Sequence, residues 1–374
     1  MKYAAASPTL AHTLWMLSAR TRGGKHWLTN ANCEFQSITI AEQTQPISVQ
    51  ILPSCNQSYV LSPRSAWITY AKDEAIRHVP VKLKWLAKIG ADCLFFPLSM
   101  LLRGSGLDSA VSVGNRLIST NLYPDWNFQE LQNLTEELVS EYPDYPYIFR
   151  NICTEVNPHF CNYLQKCGWT LVPARMIYLC DPQNPAVWKH NHVKKDARLL
   201  HSDDIQVVPP EQIKPSDLPR MRHLFRQVFM DKHSSLNPDF TDEFFEFCLE
   251  SGFLELYGLR DKGEIVGVLG IYEYQGSDWL TTPLIGYDTT MAQELGLYRR
   301  LMALLLQIAK QKNKRLHYSS GASKFKQARA GQACLEYTAI YSQHLNTRKK
   351  LFNQLFAKTL QYLAPKILKK AEQY

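Results

Sequence analysis

The 374-residue chain contains no C-x-x-C pair and no H-E-x-x-H, although it has nine cysteines and eleven histidines. Cys33, Cys55, Cys93, Cys153, Cys161, Cys167, Cys180, Cys248 and Cys334 are odd in number and irregular in spacing. That argues against a disulfide framework and a zinc site, and predicts reduced thiols in a cytoplasmic protein without a metal. No unbroken apolar run opens the chain, because His12 and several polar residues interrupt it, so no secretion signal is expected. The most apolar stretch, Val81–Leu102, carries Lys82, Lys84, Lys88 and Asp92 and has Pro97 inside it. A spanning helix needs about 20 mostly apolar residues. No transmembrane segment is therefore expected, and the stretch reads as buried or partner-facing. A Ser-His-Asp or Cys-His motif for nucleophilic catalysis is also missing.

What is present is the composition of a globular protein, 45% hydrophobic and 20% charged, at a length that suits two domains. The net charge of +8 tolerates acidic partners without demanding them. It is concentrated at the end, where Arg348, Lys349, Lys350, Lys358, Lys366, Lys369 and Lys370 face only Glu372. This pattern reads as the solvated face of an amphipathic helix, with RNA or membrane contact as the alternatives.

Periodicity gives the second half a β-αα-βββ-α-β-α-β order. A strand at Asp204–Pro210 is followed by helices at Ser216–Phe229 and Pro238–Ser251 and strands at Phe253–Asp261, Glu264–Gln275 and Asp278–Asp288. A strong helix at Leu295–Asn313 comes next. A strand, a short helix "SKFKQAR" and a last strand at Cys334–Tyr341 close the half. The first half ends in the same way, with a strand at Tyr147–Ile152, a capped helix at Asn157–Gly168 and a strand at Thr170–Asp181. A strand-helix-strand unit implies a right-handed parallel crossover, and the repetition implies a duplicated fold. The expected division is 1–181, a linker at 182–203 rich in Pro, His and Lys, a second domain at 204–345, and a basic helix at 346–374.

These elements resemble the double-domain form of the GNAT superfamily of acyltransferases, in particular the BioF2-like acetyltransferases and the Fem-type aminoacyl transferases. The resemblance rests on Gly296, Leu297, Tyr298 and Leu301, then Gly321, Phe325, Lys326, Gly331, Glu336 and Tyr337. It implies an α/β (α+β) fold of two tandem GNAT-like domains, each a mixed, mostly antiparallel sheet flanked by helices. It also implies transfer of an acyl group, acetyl or aminoacyl, to an amine acceptor. The family's Q/R-x-x-G-x-G/A cofactor motif maps onto Gln293-x-x-Gly296 with Leu297 and Tyr298. Tyr298 stands where a small residue lets a pyrophosphate approach the helix N-terminus. The resemblance implies acyl-CoA (acetyl-CoA) as donor, with an acyl carrier protein or aminoacyl-tRNA as alternatives, the last being the donor of the Fem-type enzymes and the one that Tyr298 does not obstruct. The resemblance implies that Lys326 stabilises charge on the transferred carbonyl, with Lys324 and Arg329 beside it to bind phosphate.

Direct attack by an amine needs a proton acceptor, an oxyanion partner and alignment, and it needs no protein nucleophile. Asp288, at a strand end, is a candidate general base or amine anchor, or else a turn residue. Tyr287 is a candidate proton relay or a packing residue. Glu336 either anchors an amine or pairs with an arginine, and Arg150 and Asn151 either line a cleft between the halves or serve capping and pairing. The alternative to an enzyme is a non-catalytic binding protein on a degenerate fold.

Overall fold

In the computed structural model the described residues are 8–40, 42–50, 57–77, 79–202 and 204–371. The first half runs α1 (Pro8–Arg22), β1 (Cys33–Ile40), β2 (Gln43–Gln50), α2 (Tyr70–Arg77), α3 (Lys84–Ser105), β3 (Val111–Val113), α4 (Phe128–Glu141), β4 (Tyr147–Ile152), α5 (Pro158–Lys166) and β5 (Thr170–Cys180). A connecting helix, α6 (Asn191–Leu200), leads to β6 (Gln206–Val208), α7 (Leu218–Arg226), α8 (Asp242–Ser251), β7 (Glu255–Asp261), β8 (Glu264–Glu273) and β9 (Trp279–Tyr287). The chain closes with α9 (Leu297–Gln311), β10 (Arg315–His317), α10 (Ser323–Gln327), β11 (Gln332–Tyr341) and α11 (Thr347–Ala371).

Local chemistry sets these boundaries. Asn127 accepts from Glu130 N–H while the Glu130 carboxylate accepts from Asn127 N–H, so a reciprocal box starts α4 where the sequence places it. Thr241 caps α8 through Phe244 N–H, three residues later than the helix expected from Pro238. The segment expected to be a linker holds α6. Val193, Ala197 and Leu200 recur at helical spacing, and Val193 and Leu200 are buried.

All eleven strands form one sheet, in the order β1-β2-β3-β4-β11-β5-β10-β9-β8-β7-β6. Only β3–β4 and β9–β10 are parallel, spanned by α4 and α9, so the sheet is mixed and mostly antiparallel as expected. The two halves do not keep separate sheets. Their closing strands are exchanged: β11 from the second half pairs with β4, while β5 from the first half pairs with β10. β5 and β11 then pair with each other along nearly their full length, from Gln332↔Leu179 to Ile340↔Thr170. Strand pattern alone cannot announce this exchange, because both closing strands carry apolar side chains on the faces they bury.

The halves are laced together elsewhere too. Trp15 of α1 stacks on Phe253 at 5.7 Å, and Thr29 donates to Asp239 at 2.6 Å. The eight described cysteines are all free thiols, and Cys55 lies outside the described residues. Burial pushes the Cys33, Cys161 and Cys180 thiols up to about 12, which makes them packing groups rather than nucleophiles.

Candidate active site

The exchanged strands bring polar side chains of both halves to one place. Arg175 of β5 and Glu336 of β11 are cross-strand partners. Arg175 grips the carboxylate with Nε on Oε2 at 2.5 Å and Nη2 on Oε1 at 3.1 Å. The same Nη2 also reaches Ser119 O at 2.8 Å and Thr120 Oγ1 at 3.0 Å, and Nη1 reaches Ser320 Oγ at 3.5 Å. Asn151 adds a 2.9 Å hydrogen bond to Glu336 Oε2, and His317 Nε2 lies 3.4 Å from Oε1. Ser319 N–H donates to His317 Nδ1 at 3.0 Å, so the ring proton sits on Nε2 and faces Glu336. Burial alone pushes the Glu336 carboxyl up, but Arg175 and His317 outweigh it and hold it at about 2. Burial also lowers the pKa of His317, which keeps the ring neutral.

Lys326 belongs to the same cluster and is buried, with 4% of its surface exposed. Its Nζ donates to Ser320 O at 2.7 Å and Ser319 O at 3.3 Å and lies 5.6 Å from the Tyr178 ring centre. The loop that aims it is bent: Ser319, Ala322 and Ala330 all have left-handed backbone, with φ of 59°, 50° and 63°. Each such residue costs on the order of 1–3 kcal/mol, a strain that clusters at functional sites. Gly331 is required behind it, since a Cβ there would come within 2.7 Å of Lys326 O. Burial, helped by Arg175, pushes the Lys326 ammonium down to about 7. An ammonium has three protons, so two carbonyl partners leave a third N–H to donate.

Beside this cluster opens a cavity of about 150 Å³ between the strands and the segment leading into α2. Tyr59, Trp67, Tyr70 and Ile148 form its apolar side, and Arg150, Asn151, Arg175, Ser320 and Glu336 its polar side. Arg150 is buried and reaches only Asn115 Oδ1 at 3.3 Å and Ile118 O at 3.5 Å. No carboxylate lies within ion-pair distance of it among the described residues. Two cations, Arg150 and Arg175, and one carboxylate therefore line the cavity, with Lys326 held just behind Ser320, and the surplus positive charge suits an oxyanion or a phosphate.

The residues expected to hold a cofactor gather elsewhere. Gln293 lies in a short turn, and Gly296, at φ 59°, starts α9 as the motif requires. The linker helix covers that start: a Cβ on Gly296 would come within 2.6 Å of Leu199 Cδ2. Asp196 of α6 pairs with both Arg299, at 2.7 Å, and Arg329, at 2.5 Å. Asp204 takes the buried Arg300 at 2.7 Å. Farther along α9, beside Met302 and Leu306, the space left under α6 is about 10 Å³, room for one water. Leu297 is buried, Tyr298 packs on Phe325 at 4.7 Å, and Lys324 is exposed on α10.

Asp288 and Tyr287 lie outside the cavity. Tyr287 packs on Tyr298 at 5.8 Å. Asp288 pairs with Arg220 at 2.6 Å and accepts from Thr290 N–H and Oγ1 at 2.9 and 2.6 Å, the arrangement of a turn residue. Partial burial pushes its carboxyl up, but those donors win and leave the pKa below the usual value. Asp288→Asn is expected to cost about 1 kcal/mol in a denaturant titration and to leave transfer unchanged within about twofold. The sequence singled out Arg150, Asn151 and Glu336 but missed Arg175 and Tyr59, because nothing local distinguishes an arginine in a strand that changes partners.

No family model matches the chain, and no curated protein sequence does. Solved structures do. FemX is similar with a TM-score of 0.54 at 8% identity, covering 93% of this chain and 98% of that one. The C-terminal domain of an Agrobacterium fabrum protein named as a lysylphosphatidylglycerol synthetase gives 0.52 at 10% identity, covering 94% and 95%. L-PGS from Bacillus licheniformis gives 0.50 at 11% identity, covering 96% and 98%. At these identities the likeness shows the fold, which this chain shares with FemX and L-PGS over nearly its whole length. In this frame the motif at α9 and the cavity at the seam are separate places: Leu199 covers the first, and the second is open.

Proposed function

We propose that this chain is an acyltransferase that takes an aminoacyl group from aminoacyl-tRNA and passes it to an amine acceptor in the seam cavity. The observation that carries the reading is the pairing of an open cationic cavity with a covered α9 motif. A pyrophosphate at Gly296 would have to displace Leu199 and meet the carboxylate of Asp196. A donor without a CoA pyrophosphate avoids both costs. The fold neighbours support this choice, since FemX and L-PGS share the frame over nearly the whole chain, and the Fem-type resemblance implies an aminoacyl-tRNA donor.

In the reaction the amine nitrogen attacks the ester carbonyl carbon and forms the C–N bond. The carbonyl oxygen becomes an oxyanion beside the Lys326 ammonium. The C–O bond to the ribose then breaks, and the ribose oxygen takes up the proton the amine gives away. Arg150 and Arg175 hold the anionic part of a ligand, and Glu336 keeps Arg175 in place. Acyl-CoA at a different seat is the second reading.

The test is turnover. The chain is given a mixed pool of labelled aminoacyl-tRNA, or a panel of acyl-CoAs, with a simple primary amine as surrogate acceptor. Chain-dependent formation of labelled amide from the tRNA pool alone is expected, with no thermal shift from acyl-CoAs. Turnover of an acyl-CoA with an inert tRNA pool would reverse the donor assignment. Affinity for tRNA should also fall steeply with added salt, as counterion release requires.

A further inference from the structure

Helices α3 and α11 are fixed to the body by one face and leave another in solvent. On α3, Leu102 and Ser105 are buried, and Asn353 of α11 donates to Ser105 O at 2.9 Å. Gly104 leaves room for Phe352, whose ring would meet a Cβ there at 2.6 Å. The opposite side of α3 carries Trp85, Ile89, Phe96 and Met100, which are 62%, 54%, 66% and 50% exposed. Their separations of four, seven and four residues place them in one stripe of a helix. On α11 the same spacing recurs in Leu351, Leu355 and Tyr362, also exposed and opposite the buried Phe356 and Leu360.

Lysines make up most of the charge beside these stripes. Lys358, Lys366 and Lys369 share the exposed side of α11 with Leu351 and Tyr362, and Lys366 Nζ sits 3.7 Å from the Tyr362 ring centre. Lys84 and Lys88 are exposed on the first turns of α3. Asp92, the acid of that helix, is already paired with Lys72. Scattered apolar side chains on a surface need no explanation, but a stripe running along each of two packed helices, with lysines beside it, does.

We infer that α3 and α11 together form a docking surface for an anionic lipid bilayer, lying in its interface with the aromatic and aliphatic stripes inserted and the lysines on the headgroups. By length and composition α3 could cross a membrane. Its burial against α11 at Leu102 and Ser105 holds it in the plane instead. Lysines ringing an apolar stripe are the pattern that binds anionic interfaces, where apolar insertion and charge attraction add. A protein partner burying the same stripes would need acidic groups over every lysine, which the bilayer supplies without register. The inference stands apart from the choice of donor, because it concerns where the molecule sits and not what it transfers.

The experiment is flotation of the full chain with vesicles of phosphatidylcholine alone or containing about one-third phosphatidylglycerol. Partition at least about tenfold stronger onto the anionic vesicles is expected, weakening as salt shortens a Debye length of about 10 Å at 0.1 M. Trp85→Glu with Phe96→Glu, and separately Lys358→Glu with Lys366→Glu, should each lower partition by about tenfold or more while far-UV dichroism and melting stay as in the parent. Brominated phospholipid should quench a component of the tryptophan emission that Trp85→Phe removes. Equal partition onto both vesicle types, or unaltered partition of either double variant, would overturn the proposal. So would a lipid-free dimer that Trp85→Glu converts to monomer, since that assigns the stripes to a second copy. Turnover with aminoacyl-tRNA and a soluble amine should be unaffected by these variants, so failure here and failure of the transferase reading are told apart.

Discussion

Replacing Lys326 by methionine is expected to lower transfer by about 10²–10³-fold, the usual loss when one preorganised donor to an oxyanion is removed. The substitution keeps an unbranched four-atom stem and removes the ammonium. The cavity, the Arg175–Glu336 pair and the bent loop around Ser319 should persist. KM for the donor should move little, because the lost interaction forms only as charge develops on the carbonyl. The pH profile separates this role from a structural one. Burial holds the Lys326 ammonium at about 7, so the donating form is lost as pH rises through that value. Parent activity should fall above about 7, and the residual activity of Lys326→Met should lack that limb. Stability should move in the opposite sense. The pKa is near 7 folded and 10.5 unfolded, so the unfolded chain binds more protons between those values. The penalty for burying the ammonium is full below 7 and fades as pH climbs toward 10.5. Lys326→Met should therefore stabilise the fold in mild acid and do so less at high pH. A pH profile unchanged by the substitution would remove Lys326 from the chemistry.

The site was only partly legible in the sequence, for reasons that differ residue by residue. Glu336 and Lys326 flank a turn between two recognisable strands, so local pattern could point to both. Arg175 could not be found that way. Its partner is 161 residues away and faces it only because β5 and β11 change places in the sheet. Gly296 was legible as a helix start, and its left-handed φ bears that out. That α6 lies over it was not, since the linker composition of Pro, His and Lys hid a short apolar period at Val193, Ala197 and Leu200. Asp288 reads in the sequence as either a general base or a turn residue, and only its contacts with Arg220 and Thr290 show how it is engaged. The fold was easier to read than the site because periodicity reports which faces are buried, whereas a site depends on which distant strands meet.

Glu336→Gln is expected to be the most destabilising single change in the cavity, at roughly 3–5 kcal/mol in a denaturant titration, because it removes the one carboxylate from a group of buried cations. The amide can keep one hydrogen bond to Arg175 but cannot offset its charge, and Arg150 stands close by on the same cavity wall. The penalty should depend on pH. The folded carboxyl titrates near 2 against 4.5 unfolded, so its contribution is complete above 4.5 and vanishes as pH falls through about 2. Parent and variant should thus converge in strong acid and differ most near neutrality. Transfer should fall as well, since an unanchored Arg175 no longer holds its place at the cavity wall. The double variant Glu336→Gln with Arg175→Met removes both charges together and should recover more than half of the lost stability without recovering transfer. Such a cycle isolates the coupling of the pair from the burial cost of each member. If the double variant were no more stable than Glu336→Gln alone, the carboxylate would be holding the strand exchange through Asn151 and His317 rather than through Arg175.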